Sequence, residues 1–119
     1  METPKIHESE DRFCLILWEH EPVNSTRLVE LCKQRLGWSK ATTYTVIRRL
    51  SERGVLVNEN TMVRSLISKE EAQRSRLEEM VEETFEGSMP AFIAAFSGSK
   101  RLTKREVDQL KALIDSYEE

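Results

Sequence analysis

Long apolar runs are missing from this 119-residue chain. The longest, Phe13-Cys14-Leu15-Ile16-Leu17-Trp18, is far short of the roughly 18–20 residues that span a bilayer, so no transmembrane helix is expected. Met1–Lys5 lacks the basic start and apolar stretch of a signal peptide, and the expected location is the cytoplasm. Cysteine is scarce. Cys14 and Cys32 each sit inside an apolar helical pattern, which predicts buried thiols and excludes a disulfide framework. There is no C-x-x-C, and His7 and His20 have no ligand-like neighbours, so no metal site is expected. The chain also lacks a nucleophile–base arrangement, a glycine-rich phosphate loop and any metalloenzyme motif. Nothing points to an enzyme or to a cofactor. A strong positive charge is absent too: the net charge is −3, which excludes a strong nonspecific nucleic-acid binder.

The charge that is present is unevenly placed. Residues 1–68 carry ten Lys/Arg against nine Asp/Glu, and residues 69–119 carry eight against twelve. Between residues 38 and 53, Lys40, Arg48, Arg49 and Arg53 face Glu52 alone. That is enough for a local phosphate-binding surface.

Ser9–Glu19 reads as a helix whose Phe13, Ile16, Leu17 and His20 share one face, ended by Pro22. Asn24 is placed to cap a second helix with Leu28, Leu31, Cys32 and Leu36 as its stripe, closed by Gly37. Ser39 caps a third, which runs to about Arg53 and stops at Gly54. On it Thr43, Val46, Ile47 and Leu50 share one arc, while Ala41, Tyr44, Thr45 and Arg48 share the opposite one, flanked by Thr42 and Arg49. The period then changes. Val55–Val57 and Met62–Ile67 read as strands around an Asn58–Thr61 turn, a hairpin following a helix-turn-helix. Ser68–Glu71 and Thr103–Glu106 are capping boxes that open two further helices. Between them lies an apolar segment, Met89–Phe96, broken by Pro90 and followed by a flexible Ser97-Gly98-Ser99 link. The expected fold is mainly α: a winged helix-turn-helix DNA-binding domain over residues 1–68 and a helical dimerisation domain over residues 69–119.

A helix fits the major groove of B-DNA and reads base edges with its N-terminal side chains. The expected DNA-binding residues are therefore Ser39, Lys40, Ala41, Thr42, Tyr44, Thr45, Arg48 and Arg49, with Arg64 from the wing reaching phosphate or the minor groove. Small residues allow close approach, threonines offer hydroxyls and methyls, and arginines pair with guanine or phosphate. The same pattern also describes an ordinary exposed amphipathic helix; the short turn before it and the hairpin after it favour DNA. The C-terminal stripes, Leu77, Met80, Val81, Phe85, Phe92, Ile93, Phe96, Val107, Leu110, Leu113 and Ile114, exceed what a 68-residue module can cover, and point to a second copy of the chain. Glu78, Glu79, Glu82, Glu83 and Glu86 read as the wet face of the fourth helix. Two rivals stay open: a winged-helix protein-interaction adaptor, and a metal-responsive repressor using Cys14 and Cys32.

The run Gly37-Trp38-Ser39-Lys40-Ala41-Thr42-Thr43-Tyr44-Thr45-Val46-Ile47-Arg48-Arg49-Leu50, followed by Arg53-Gly54-Val55-Leu56, resembles the penicillinase-repressor family (the BlaI/MecI/CopY group). The Trp, the Ser, both motif threonines, Arg49 and Leu50 match that family's pattern; Thr43 stands where it has an aliphatic residue. The resemblance implies a homodimeric repressor on a palindromic double-stranded operator, controlling beta-lactamase or related resistance genes. It also implies release by cleavage in the dimerisation region, triggered by a membrane-bound sensor protease. The bond matching the family's Asn-Phe cleavage point is Ala95–Phe96, with Ala in place of Asn. Copper-responsive members carry a C-terminal Cys-x-Cys cluster, and this chain has no cysteine after Cys32.

Overall fold

A computed structural model describes residues 3–99 and 102–117. A short 3₁₀ turn, Glu8–Glu10, leads into α1 (Asp11–His20), followed by β1 (Val23–Asn24), α2 (Ser25–Leu36), α3 (Lys40–Glu52), β2 (Leu56–Glu59) and β3 (Met62–Ser65). Then come α4 (Lys69–Phe85), α5 (Met89–Ser99) and α6 (Lys104–Asp115). The chain divides into two compact units, Met1–Leu77 and Glu78–Glu119.

The first unit is a winged helix-turn-helix. Asn24 caps α2 by accepting the Thr26 amide at 2.8 Å, and Gly37 closes it at φ 70°, a left-handed angle that needs glycine. At the end of α3, Gly54 (φ 81°) donates to the Ser51 carbonyl and Val55 donates to that of Leu50, which pairs the last carbonyls and turns the chain into the wing. The expected apolar faces meet in one core. Phe13 and Leu17 of α1, Leu28 of α2, Leu50 of α3 and Val55, Leu56 and Val63 around the hairpin are fully buried. Cys14 and Cys32 are buried there as expected.

The sheet differs from the expected hairpin in its strand count and its turn, and also in its bounds, since β2 begins at Leu56 and not Val55 and β3 ends at Ser65 and not Ile67. It has three antiparallel strands in the order β1-β3-β2, with Val23 opposite Val63. A two-residue strand has too little periodicity to be read from sequence; it forms because its partner is already in place. The turn is also tighter. Asn58 and Glu59 belong to β2, and only Asn60 and Thr61, at φ 51° and 66°, make the reversal. A positive φ is strained for a β-branched threonine. Thr61 is held by two partners, its carbonyl accepting the Ser25 amide at 2.7 Å and its hydroxyl accepting from Asn24 at 3.2 Å, while the Glu59–Met62 pairing closes the ladder beside it.

In the second unit, Val81 is the one buried side chain among the described residues. Phe85 meets Phe92 edge to face at 5.7 Å between ring centroids, and Phe92 lies 6.4 Å from Phe96. Met89–Ser99 is a single helix, not a broken segment and a flexible link. Pro90 falls in the first turn, where its missing N–H is not needed, and the Ser88 hydroxyl caps the helix through the Ala91 amide at 3.1 Å. Ser97, in the expected link, is helical and returns its hydroxyl to the Ile93 carbonyl at 2.8 Å. Both capping boxes form, Ser68 with Glu71 and Thr103 with Glu106. Among the described residues no helix is long and apolar enough to cross a membrane.

Candidate nucleic-acid interface

The candidate site is built on the Gly37-Trp38-Ser39 turn between α2 and α3. Trp38 anchors the turn by stacking on Phe13 of α1, with ring centroids 6.0 Å apart and planes within 9°. Ser39 opens α3: its hydroxyl oxygen accepts the Thr42 amide at 3.1 Å and donates to the Thr42 hydroxyl at 3.0 Å. The inward arc is the expected one. Val46, Ile47 and Leu50 are buried, and Thr43 is fully so; its hydroxyl donates to the Ser39 carbonyl at 3.1 Å.

The outward arc is narrower than the sequence suggests. Lys40, Ala41, Thr42, Arg48 and Arg49 are exposed, with Ser39 at their head. Thr45 is half-buried. Tyr44, expected on the reading face, is half-buried against the core, and its hydroxyl donates to Ser25 at 3.4 Å. A ring of that size covers apolar surface beside α2 wherever it can reach it, and helical spacing alone cannot register that pull. On the wing, Arg64 is exposed and lies 3.8 Å from the Glu59 carboxylate across the strand pair.

The cations of the first unit differ in their pairing. Arg27, Arg35, Arg53, Arg64 and Arg76 are each paired with a carboxylate, respectively Glu30, Glu19, Glu10, Glu59 and Asp11. Among the described residues, Lys40, Arg48 and Arg49 have no such partner. The exposed side of α3 thus presents three uncompensated cations beside small and hydroxylated residues. That surface can approach a polyanion closely and offer it charge-assisted hydrogen bonds.

The thiols are poor ligands in this setting. Burial pushes the Cys14 thiol up to about 12, with Glu10 and Asp11 adding to the effect, and pushes the Cys32 thiol up to about 11, with the neighbouring Thr43 hydroxyl working the other way. Among the described residues no group of three or more His, Cys, Asp or Glu is arranged to hold a metal ion.

Comparisons with known proteins bear on the fold and the family. A family model described as penicillinase repressor matches residues 6–116. The chain belongs to the penicillinase repressor family. The penicillinase repressor of Bacillus licheniformis is 20% identical over 119 residues, spanning 96% of this chain and 92% of the relative. A solution structure of the Bacillus licheniformis BlaI monomeric form, in complex with the blaP half-operator, matches with a TM-score of 0.51 and 22% identity. The match covers 60% of this chain and 93% of that one, a likeness of fold. The family is one of repressors, not of catalysts.

Sequence reasoning missed four features of this unit. They are β1, the inward turn of Tyr44, the Glu59–Arg64 pair, and a set of arginine contacts to the N-terminal turn. Only the Glu59–Arg64 pair had a readable signal, since opposite charges two positions out of register in a hairpin lie within reach.

Proposed function

We propose that this chain is a sequence-specific transcriptional repressor that binds double-stranded operator DNA as a homodimer in the cytoplasm. Residues 1–68 read the DNA and residues 69–119 join the two copies. The observation that carries the reading is the exposed face of α3, where Lys40, Arg48 and Arg49 stand unpaired beside Ala41 and Thr42. Ser39 and Thr45 line its edges, and Arg64 adds a backbone contact from the wing once it leaves Glu59. Tyr44 contributes by holding α3 against α2. Family membership and the fold shared with a half-operator complex support the same reading.

Dimerisation is supported by what a single copy leaves uncovered. Leu113 and Ile114 of α6 are 67% and 64% exposed, and Leu77, Met80, Ile93 and Phe96 are exposed as well. Apolar surface of that kind marks an interaction site. Phe85, Phe92, Val107 and Leu110 are half-buried and stand ready to complete the same core.

The targets in this reading are beta-lactamase or related resistance genes, in keeping with the penicillinase repressor it resembles. Release follows cleavage between Ala95 and Phe96, by or downstream of a membrane-bound sensor protease. Both residues are exposed on α5, whose backbone must unwind locally before a protease can take it as an extended strand.

The test is binding to a palindromic duplex selected by the protein from a random pool, measured against salt. Each lost phosphate contact lowers the log–log salt slope by about 0.9. Arg48→Ala and Arg49→Ala are expected to weaken binding at least tenfold and leave the dimer intact by sedimentation. Normal affinity in both variants would overturn the assignment of α3; no salt-dependent binding by the unaltered protein would leave the adaptor reading in its place.

A further inference from the structure

The wing carries little charge, and what it carries is turned on itself. Between Leu56 and Ser65 the charged residues are Glu59 and Arg64 alone. The register sets Glu59 opposite Met62 and Arg64 opposite Val57, so these four share one face of the hairpin. The other face is the core side, where Leu56 and Val63 are buried. Glu59 and Arg64 pair diagonally at 3.8 Å, and each side chain is more than half exposed. The outward face of the wing is therefore electrically neutral. On α3, in the same unit, Lys40, Arg48 and Arg49 have no carboxylate partner among the described residues. A neutral wing draws no phosphate by itself. Arg64 reaches one only by leaving Glu59, and a bare carboxylate then stands close to a polyanion.

We infer that Glu59 is a specificity-determining residue: it holds Arg64 back from phosphate until base contacts by α3 fix the wing against the duplex. An exposed ion pair is weak, and so is a single phosphate contact on a loosely held duplex, so exchanging one for the other is close to balanced. On a duplex of arbitrary sequence nothing holds the wing in place, and Arg64 stays with Glu59. On the operator, α3 settles in the groove and carries the wing with it. The two move as one piece, because Val55 donates to the Leu50 carbonyl at 2.9 Å and Leu56 and Val63 share a core with Val46, Ile47 and Leu50. The phosphate beside the held wing then has a high effective concentration for Arg64, and the exchange runs toward DNA. One phosphate contact per copy is thus withheld at wrong sites and made at the right one. Specificity is the difference between the two affinities, and Glu59 widens it by weakening the wrong complex.

The inference rests on the operator-binding repressor proposed above, and the experiment separates the two. The probes are the selected palindrome and a scrambled duplex of the same length and composition, each titrated across a range of salt. Glu59→Gln keeps the shape of an exposed side chain and removes its charge, which keeps folding out of the comparison. It is expected to tighten binding to the scrambled duplex three- to tenfold and to steepen its log–log salt slope by about 0.9 per wing. Operator affinity stays within twofold and its slope is unchanged, because Arg64 already meets phosphate there. Arg64→Ala does the reverse: it weakens operator binding at least threefold and leaves the scrambled duplex within twofold. In the Arg64→Ala background, Glu59→Gln has less than a twofold effect on either duplex, since the gain depends on releasing that arginine. An equal gain on both duplexes, or the same gain without Arg64, would mean that Glu59 acts only as net charge, and the inference falls while DNA reading stands. It falls in the same way if Glu59→Gln leaves the scrambled duplex unchanged or if Arg64→Ala leaves the operator unchanged. Failure of the unaltered protein to bind any selected duplex overturns the repressor reading and this one together.

Discussion

Thr43 is a hydroxylated residue on the inward arc of α3, and replacing it with valine tests whether that position shapes the core or the DNA contact. The side chain is fully buried. Its hydroxyl donates to the Ser39 carbonyl at 3.1 Å, and that carbonyl also accepts the Thr43 amide at 3.0 Å. Thr43→Val therefore removes one hydrogen bond without orphaning its acceptor, a loss of about 1 kcal/mol. Against this, valine buries a methyl group in place of the hydroxyl, a gain of about 0.8 kcal/mol. Valine is close to threonine in shape, so neither a cavity nor a clash adds to the balance. The expected outcome is a stability change within about 1 kcal/mol in either direction, or up to roughly 4–8 °C in Tm for a unit of this size. Operator affinity stays within twofold, because the side chain does not reach the exposed face. Thermal unfolding by circular dichroism and a binding titration measure both. A tenfold loss of operator affinity with unchanged Tm would refute the reasoning, since it would mean that Thr43 takes part in reading DNA.

Ser39→Ala removes the cap of α3 and is expected to cost about 1 kcal/mol in urea unfolding; an unchanged midpoint would mean that the Thr42 amide finds another acceptor. Leu113→Asp with Ile114→Asp is expected to give monomers by sedimentation with the helical content retained, since both side chains are exposed in one copy; a persistent dimer would place the interface elsewhere. The raised thiols predict an alkaline loss of stability. Cys14 and Cys32 ionise at about 12 and 11 in the folded chain and near 9.0 when free, so above pH 9 the unfolded state loses protons first and stability falls as pH rises. Each thiol contributes at most about 1.4 kcal/mol per pH unit there, and Cys14→Ala with Cys32→Ala should flatten the decline between pH 9 and 11; an equal slope in the variant would contradict their burial.

Much of this protein is determined by local sequence chemistry. Asn24, Ser39, Ser68 and Thr103 mark helix starts because each carries a side-chain oxygen that accepts a free amide one turn in. Gly37 and Gly54 mark helix ends because a left-handed angle costs them little. The inward arc of α3 follows from helical period alone. Where the expectation failed, the competing force came from elsewhere in the fold. Pro90 reads as a break until its place in the first turn of α5 is known. Tyr44 reads as outward-facing until α2 supplies apolar surface and Ser25 supplies an acceptor. β1 exists only because β3 offers it an edge. The arginines show the limit most plainly. Helical spacing puts Arg48 and Arg49 on the reading face, but nothing local says which of Arg48, Arg49, Arg53 and Arg76 will meet a carboxylate. The fold brings Glu10 and Asp11 to two of them and leaves two bare. Which cations remain free for DNA is a question of long-range charge pairing, and only the tertiary structure decides it.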